Sequence, residues 1–354
     1  MSTELVQKLE NSIENLKNKK SKTLFFVQDT KGNAKASIKY IYDIALTLSN
    51  EGYNVAILHE KPDYFGVQDW LDKKYMDLEH ICVEGQNLQI SPEDTICVPE
   101  IFGYIMSQVS NLPCAKIVIC TSYDYIFETL QPGQTWTQLG FNKCITTSEF
   151  MKNYISSVMR NVSIDIIEPV ISEVFQKNNY PAKPIIAIHT REHRDAVNFI
   201  KSFYVKFPQY RWVTFIDLRG ISQEEFSTKL KDCLLSVWID EISSFGTFPI
   251  ESMKCGVPVI GKIPRLIPTW MNENNGIWIH ETIKILDFVA DFLQNWFEDN
   301  VSEKIYEGGF ETAEKFSDTN NFKNQIVMTF DGYNQIRVTN FKNELNKQLE
   351  QQTV

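Results

Sequence analysis

The chain has 354 residues, of which 43% are hydrophobic and 23% are charged, and its formal net charge is -10. This length exceeds one ordinary hydrophobic core, so we expect two domains in a folded globular protein. The acidic balance argues against a surface built for broad contact with nucleic acid, although a local basic groove is compatible with it.

Targeting and redox signals are weak in this sequence. The first residues lack the apolar core of a signal peptide, and no run approaches the roughly 18 apolar residues of a membrane span. Seven cysteines are scattered singly, without the Cys and His spacing of a zinc site. We therefore expect a cytoplasmic protein with reduced thiols, no metal site and at most peripheral membrane contact.

Strands and helices alternate through the first half of the chain. After an amphipathic helix over residues 3–19, apolar strands are predicted at 24–28, 54–58, 95–99, 116–121 and 143–147. Between the first two strands, a helix places Ile38, Ile41, Ala45 and Leu48 on one face, and Gly52 ends it. Such alternation predicts a mostly parallel sheet with helices on both faces.

A second alternating series follows the polar, proline-containing segment 173–184. Strands are predicted at 184–188, 212–217 and 235–239, with helices between them. We therefore place one domain over residues 1–172, a linker over 173–184 and a second domain over 185–330. Residues 331–354 are predicted to form a helix that either packs back on the first domain or is a frayed tail.

Residues 243–261 carry the most chemical information, and they read Ser-Ser-Phe-Gly-Thr-Phe-Pro-Ile-Glu-Ser-Met-Lys-Cys-Gly-Val-Pro-Val-Ile-Gly. The pattern predicts a turn of small residues, a short helix and a strand, with Pro249 at the first helical position and Gly256 as the left-handed stop. Free N–H groups at the helix start would face a phosphate. Glu251, inside the same helix, is better suited to accept a hydrogen bond from a hydroxyl, so the predicted ligand carries a diphosphate and a sugar.

This segment resembles a signature of the family 4 retaining glycosyltransferases, which have the GT-B architecture. The similarity lies in Phe245-Gly246, in Ile250-Glu251-Ser252-Met253 and in Cys-Gly-Val-Pro-Val-Ile at 255–260, set against the family pattern E-G-F-G-L-P-x-L-E-A-M-A-x-G-x-P-V-I. Weaker agreement extends to Gly32 in the first loop, to residues 145–149 and to Val174-Phe175. The resemblance implies an α/β fold of two doubly wound, Rossmann-like domains that face each other across a cleft.

The resemblance also implies residue roles in donor binding. Glu251 would bind the nucleotide ribose, and the loop before it would contact the diphosphate or sugar through Phe245, Gly246, Thr247 and Phe248. The family's first glutamate falls on Ser243, whose hydroxyl cannot supply a carboxylate. Asp240 or Glu241 substitutes for it, or the donor sugar differs.

Two arginines are candidates for stabilising the leaving group. Arg191 falls on the family's arginine, and Arg194 is the nearest candidate for the second cation, because the family's lysine is replaced here. Two guanidinium groups beside a departing diphosphate would stabilise the charge that develops as the glycosidic bond breaks, without a metal ion.

In the first domain the family's donor-facing histidine is absent, since the strand at 117–123 ends in hydroxyl-bearing residues. We take Ser122 and Glu100 as candidate catalytic residues, and we expect an acceptor surface around Gly32, His59, Glu100 and Ser122. His59 and Glu100 lie at the ends of predicted strands, at the edge where open α/β sheets bind ligands.

The resemblance therefore implies a metal-independent glycosyltransferase that moves a sugar from a nucleotide-diphosphate donor to a hydroxyl acceptor with retention of configuration. A UDP-sugar is the first expectation for the donor, with GDP- and ADP-sugars as alternatives, and no cofactor is expected. The acceptor would be a glycan, a lipid-linked sugar or a small molecule. Two alternatives remain: an enzyme acting on hydroxymethylated bases of viral DNA, and a non-catalytic nucleotide-sugar binding protein.

Overall fold

The computed structural model describes residues 2–28, 35–61, 70–85, 88–177, 182–298 and 303–352. A first parallel sheet is built from β1 (Lys22–Phe26), β2 (Asn54–His59), β3 (Glu79–Cys82), β4 (Thr95–Pro99), β5 (Ala115–Cys120), β6 (Lys143–Thr146) and β7 (Ser163–Ile166). Its strand order is β3-β2-β1-β4-β5-β6-β7, so the order reverses beside β1. This reversal makes the carboxyl edge near β1 and β4 a natural ligand site.

In the described residues of this half, the α-helices that precede or connect these strands are α1 (Ser2–Lys17), α2 (Ala36–Asn50), α3 (Gly103–Val109) and α4 (Glu149–Val158). The apolar face predicted for α2 is buried, and Ile38, Ile41, Ala45 and Leu48 all belong to the core beneath the sheet. Gly52 has φ 83° and ends this helix as predicted.

A second parallel sheet is built from β8 (Lys183–His189), β9 (Thr214–Asp217), β10 (Cys233–Trp238), β11 (Val259–Lys262) and β12 (Ile277–Ile279). Its order is β12-β11-β10-β8-β9. The helices of this half are α5 (His193–Lys206), α6 (Gln223–Lys231), α7 (Thr247–Lys254), α8 (Thr282–Phe297) and α9 (Glu303–Lys315). All six residues of β10 are buried, as expected for a central strand covered on both faces.

The last helix, α10 (Thr319–Gln352), returns the chain to the first domain. It begins twelve residues before the predicted start at 331, and Phe322, Ile326 and Phe330 lie in the first domain's core. Further along, the Arg337 guanidinium donates hydrogen bonds to the Thr95 hydroxyl at 2.9 Å and to the carbonyl of Asp94 at 3.0 Å. The helix is therefore packed against the first domain and is not frayed over this stretch.

No helix in the described ranges is long and apolar enough to cross a membrane.

Candidate functional site

A cavity of about 670 Å³ lies between the two sheets and is lined by residues of both domains. Thr121 and Ser122, which follow β5, line its first-domain side. On the opposite side lie His189, at the end of β8, and Asp240, two residues after β10. The cavity therefore occupies the carboxyl edges of both parallel sheets, where open α/β folds bind ligands.

The turn into α7 is shaped by two tryptophans. Gly246 has φ 78°, and a Cβ atom at this position would lie 2.9 Å from Trp270 and 3.2 Å from Trp238. The indole Nε1 of Trp270 donates a hydrogen bond to the Phe245 carbonyl at 2.6 Å. Only glycine fits here, because the backbone is left-handed and the neighbouring rings leave no room for a side chain.

The helix start differs by two residues from the prediction. Helix α7 begins at Thr247, so Pro249 is its third residue and not its first. A proline at this position removes one of the N–H groups that have no partner within the helix, and the N–H groups of Thr247 and Phe248 remain. Both of these residues line the cavity. Gly256 has φ 74° and follows the helix, as predicted.

Glu251 lies one turn further along α7 and also lines the cavity. Burial raises the pKa of its carboxyl to about 7, and the positive charge of Lys39 opposes this rise. Since Lys39 belongs to α2, the carboxylate on the second domain lies within electrostatic reach of a cation on the first. The helix therefore presents unpaired amides and a carboxylate to the same space, as expected for a ligand with phosphate and hydroxyl groups.

Arg191 lies at the junction of the two domains. Its Nη1 atom is 2.8 Å from the Asp124 carboxylate, and its guanidinium lies 4.6 Å from the ring centre of Tyr125. The backbone N–H of Arg191 donates to Asp240 at 2.7 Å. By contrast, Arg194 is exposed on α5 and does not line the cavity.

Arg219, which was not among the residues predicted from the sequence, lines the cavity beside Arg191. Its Nε atom lies 3.0 Å from Asp217, and its Nη2 donates to the Thr190 hydroxyl at 2.7 Å. A signal was present, because Asp217 ends strand β9 of the second sheet and Arg219 follows two residues later.

Ser243 lines the cavity, and so does Asp240. Both oxygens of Asp240 already accept hydrogen bonds, one from the Arg191 N–H and one from Trp238 Nε1 at 3.1 Å. Glu241 instead borders a separate cavity of about 550 Å³, where it pairs with Lys262 at 2.6 Å. Of the two proposed substitutes for the missing glutamate, only Asp240 faces the main cavity.

The first-domain candidates separate into different environments. Ser122 lines the cavity, whereas Glu100 is 2% exposed and lies behind it. One carboxylate oxygen of Glu100 accepts three hydrogen bonds, from the Thr121 N–H, the Thr121 hydroxyl and the Ser122 N–H, at 3.0, 3.1 and 2.7 Å. Burial nonetheless raises the pKa of Glu100 to about 7. Glu100 therefore fixes the turn that carries Ser122.

His59 is fully buried and does not line the cavity. Its ring stacks on His80 with centroids 5.1 Å apart, and a hydrogen bond of 2.8 Å joins the two rings. Burial, with a smaller contribution from His80, lowers the pKa of His59 to about 4. Gly32, the remaining candidate of this group, lies outside the described residues.

Helix α2 and the residue before it supply further cavity residues that sequence reasoning missed: Lys35, Lys39 and Asp43. Lys39 pairs with Asp43 at 2.6 Å, and the Tyr75 hydroxyl donates to Asp43 at 2.5 Å. The signal was masked because Lys39 and Asp43 are four residues apart, which is also the spacing of an ordinary surface ion pair on a helix. Over the part of the chain that the structure describes, no group of three or more His, Cys, Asp or Glu is placed to hold a metal ion.

Two parallel α/β domains that face a shared cleft define the GT-B architecture, and the predicted fold class is thereby confirmed. Solved structures agree: Anabaena HepE, determined with UDP-glucose, matches with a TM-score of 0.63 at 13% identity, over 88% of this chain and 99% of that one. Sucrose-phosphate synthase from Thermosynechococcus elongatus matches with a TM-score of 0.61 at 13% identity, over 90% and 100% of the two chains.

Sequence similarity to curated proteins is weaker. An alpha-1,6-glucosyltransferase of Actinobacillus pleuropneumoniae serotype 7 (strain AP76) is 22% identical over 185 residues, which is 51% of this chain. The aligned part covers 56% of that relative, so the chain spans little more than half of its length. No protein-family profile matches the chain.

Proposed function

We propose that the protein is a glycosyltransferase that binds a UDP-sugar in the cleft between its domains and transfers the sugar to a hydroxyl acceptor. The observation that carries this proposal is the arrangement on α7, where unpaired first-turn amides and the Glu251 carboxylate face one cavity opposite the first domain. A diphosphate suits the amides, and a ribose hydroxyl suits the carboxylate. The UDP-glucose complex of the HepE neighbour supports a uridine donor.

In this assignment Arg191 stabilises the leaving group. As the bond between the anomeric carbon and the phosphate oxygen breaks, its electron pair passes to the leaving UDP, and a nearby guanidinium stabilises that charge. The acceptor oxygen forms the new bond to the anomeric carbon, and its proton leaves with the product phosphate or with solvent. Arg191 supplies positive charge where a metal ion would otherwise be needed, so we propose a metal-independent reaction.

Retention of configuration is part of the same proposal, on the strength of the family 4 signature at 245–260. The acceptor is assigned to the first-domain side of the cavity, next to Ser122 and the Lys39–Asp43 pair. We propose that Glu100 acts as a positioning residue for Ser122, because it is buried behind the cavity and binds both N–H groups of that turn.

A second candidate function is favoured by two observations. Ser243 replaces the carboxylate of the family signature, and Arg191 is already paired with Asp124. Both features fit a protein that binds a nucleotide sugar without transferring it. Binding and turnover experiments separate this candidate from the enzyme.

The decisive binding experiment is calorimetric titration of UDP into the wild type and into Glu251→Gln, which keeps the size of the side chain and removes its charge. We expect the variant to bind UDP about tenfold more weakly or worse, since a charge-assisted hydrogen bond to the ribose is lost. Glu307→Gln, an exposed carboxylate on α9, is the matched control. Equal UDP affinity of Glu251→Gln and the wild type would remove Glu251 from the donor site.

Turnover is then measured as UDP release from UDP-glucose and related donors in the presence of mixed sugar acceptors. Release by the wild type and its loss in Arg191→Ala support the transferase. Tight UDP binding without release from any donor supports the non-catalytic protein instead.

A further inference from the structure

The positive charges of the cavity are unequally compensated. Among the described residues, the lysines and arginines that line it are Lys35, Lys39, Arg191 and Arg219. Three of them have a carboxylate within ion-pair distance, with separations of 2.6 Å for Lys39–Asp43, 2.8 Å for Arg191–Asp124 and 3.0 Å for Arg219–Asp217. Lys35 has no such partner among the described residues, and its Nζ donates to the neutral amide oxygen of Gln28 at 3.3 Å.

Lys35 also occupies a position that favours anions. It is the residue immediately before α2, with an extended backbone, and its own side chain makes no capping hydrogen bond to the helix. The first turn of α2 contains no acidic residue, and its Ala36 and Ser37 line the same cavity. The N–H groups of Ala36 and Ser37, which have no acceptor within the helix, and the ammonium group of Lys35 therefore add their positive potential in one place.

Lys35 and Arg191 approach this place from different domains. Lys35 is partly buried, and burial lowers the pKa of its ammonium group, with a further lowering from the charge of Arg191. Two like charges that line the same partly desolvated cavity within electrostatic reach repel each other. An anion bound between them removes this repulsion and stabilises the charged form of both side chains.

We propose that Lys35 is a binding residue for the diphosphate of the donor, contributed by the first domain, so that the anion site is complete only when both domains are present. This inference rests on the proposed function, and it names a cation that the signature comparison does not supply. Arg219 is less available for the same task because Asp217 and the Thr190 hydroxyl already hold its guanidinium.

The test compares three ligands that share a base and differ in phosphate: UDP, UMP and uridine. Calorimetry at low salt measures their affinities for the wild type, for Lys35→Met and for Lys17→Met, an exposed lysine on α1 that gives the same change of net charge. We expect Lys35→Met to bind UDP about tenfold more weakly, to lose less affinity for UMP and to bind uridine unchanged. Lys17→Met should match the wild type, and Lys35→Arg should recover part of the UDP affinity.

Several results overturn the inference. UDP affinity of Lys35→Met within about twofold of the wild type excludes a contact with the diphosphate. An equal loss for uridine and UDP shows a structural effect on the whole site. If the wild type itself binds none of the three ligands, the proposed function fails. This outcome is distinct from failure of the Lys35 inference, in which the wild type binds UDP and Lys35→Met binds it equally well.

Discussion

The Nη1 atom of Arg191, in the second domain, lies 2.8 Å from the carboxylate of Asp124, in the first. The same guanidinium stacks over Tyr125, and Asp124 also accepts a hydrogen bond from the Ser122 hydroxyl. The cation that we assign to the leaving diphosphate thus already has an anionic partner across the cleft. A diphosphate that binds Arg191 must compete with this carboxylate.

Asp124→Asn is therefore expected to tighten UDP binding, by about three- to tenfold. The substitution preserves the shape of the side chain, removes the competitor for Arg191 and removes a negative charge that repels the diphosphate. Calorimetric titration of UDP measures the change, with Asp77→Asn, an exposed carboxylate of the same domain, as the control. Weaker UDP binding by Asp124→Asn would show instead that Asp124 holds Arg191 in the orientation that binds phosphate.

The alternation of strands and helices predicted both parallel sheets, because buried parallel strands leave continuous apolar runs in the sequence. The start of α10 was placed too late for a related reason. Phe322, Ile326 and Phe330 pack on the first domain, but their spacing equally fits a helix that belongs to the second. Periodicity identifies a buried face, and it does not identify the domain that buries it.

At the site, the candidates that share one short segment also lie together in the structure, and their roles in donor binding stay predictions. Glu251 and residues 245–248 line the cavity because a single turn and helix carry them. Asp124 and Lys35 were missed because each matters through its position relative to Arg191, which lies in the other domain. The spacing of residues along the chain does not predict which residues of two domains come close together. Arg194 is the opposite case. It is close to Arg191 in the sequence, but in the structure it lies on the exposed side of α5.

Glu100→Gln should change the pH dependence of stability. The carboxyl has an ordinary pKa of 4.5 and a pKa of about 7 in the folded protein, because burial penalises its charge. Between these values the folded state retains a proton that the unfolded state has lost, so this group's contribution to stability falls as pH rises from about 4.5 to 7. The variant avoids this loss, which is on the order of 3 kcal/mol at most.

Urea unfolding of the wild type and Glu100→Gln at pH 5 and pH 8 measures this difference. The free energy of unfolding of the variant should rise relative to the wild type on going from pH 5 to pH 8. A constant difference between the two proteins at both pH values would mean that Glu100 titrates normally. Turnover of the variant should persist if Glu100 only positions Ser122, since the amide oxygen still accepts hydrogen bonds.

His59→Gln should protect the protein from acid. The pKa of His59 is lowered from 6.5 to about 4 by burial and by His80. Between pH 6.5 and pH 4, His59 is therefore protonated in the unfolded chain and neutral in the folded protein. Stability is therefore lost as pH falls through this window. Glutamine keeps a polar group beside His80 and does not titrate, so the variant should lose less stability between pH 7 and pH 4.5.

The control for this experiment is His280→Gln, an exposed histidine in the second domain, which should follow the wild type. UDP affinity of His59→Gln at pH 7.5 should equal that of the wild type, because His59 does not line the cavity. A large loss of UDP affinity in His59→Gln would show that His59 contributes to ligand binding after all.

Gly246→Ala tests the turn that positions the α7 amides, and Gly52→Ala provides a matched comparison. Both glycines have a left-handed backbone, with φ of 78° and 83°. A Cβ atom at Gly52 meets nothing within 4 Å, whereas one at Gly246 would lie 2.9 Å from Trp270. Both variants bear the backbone strain of alanine at positive φ, and only Gly246→Ala bears the clash as well.

We therefore expect Gly246→Ala to be about 1–3 kcal/mol less stable than Gly52→Ala in urea unfolding. Because the clash displaces the N–H groups of Thr247 and Phe248, its UDP affinity should also fall by about tenfold or more, while Gly52→Ala should bind UDP normally. If the two variants have the same stability and the same UDP affinity, the rings of Trp270 and Trp238 can move aside at little cost. The α7 amides would then not depend on Gly246 for their placement, and the first-turn site would have to be held by other contacts.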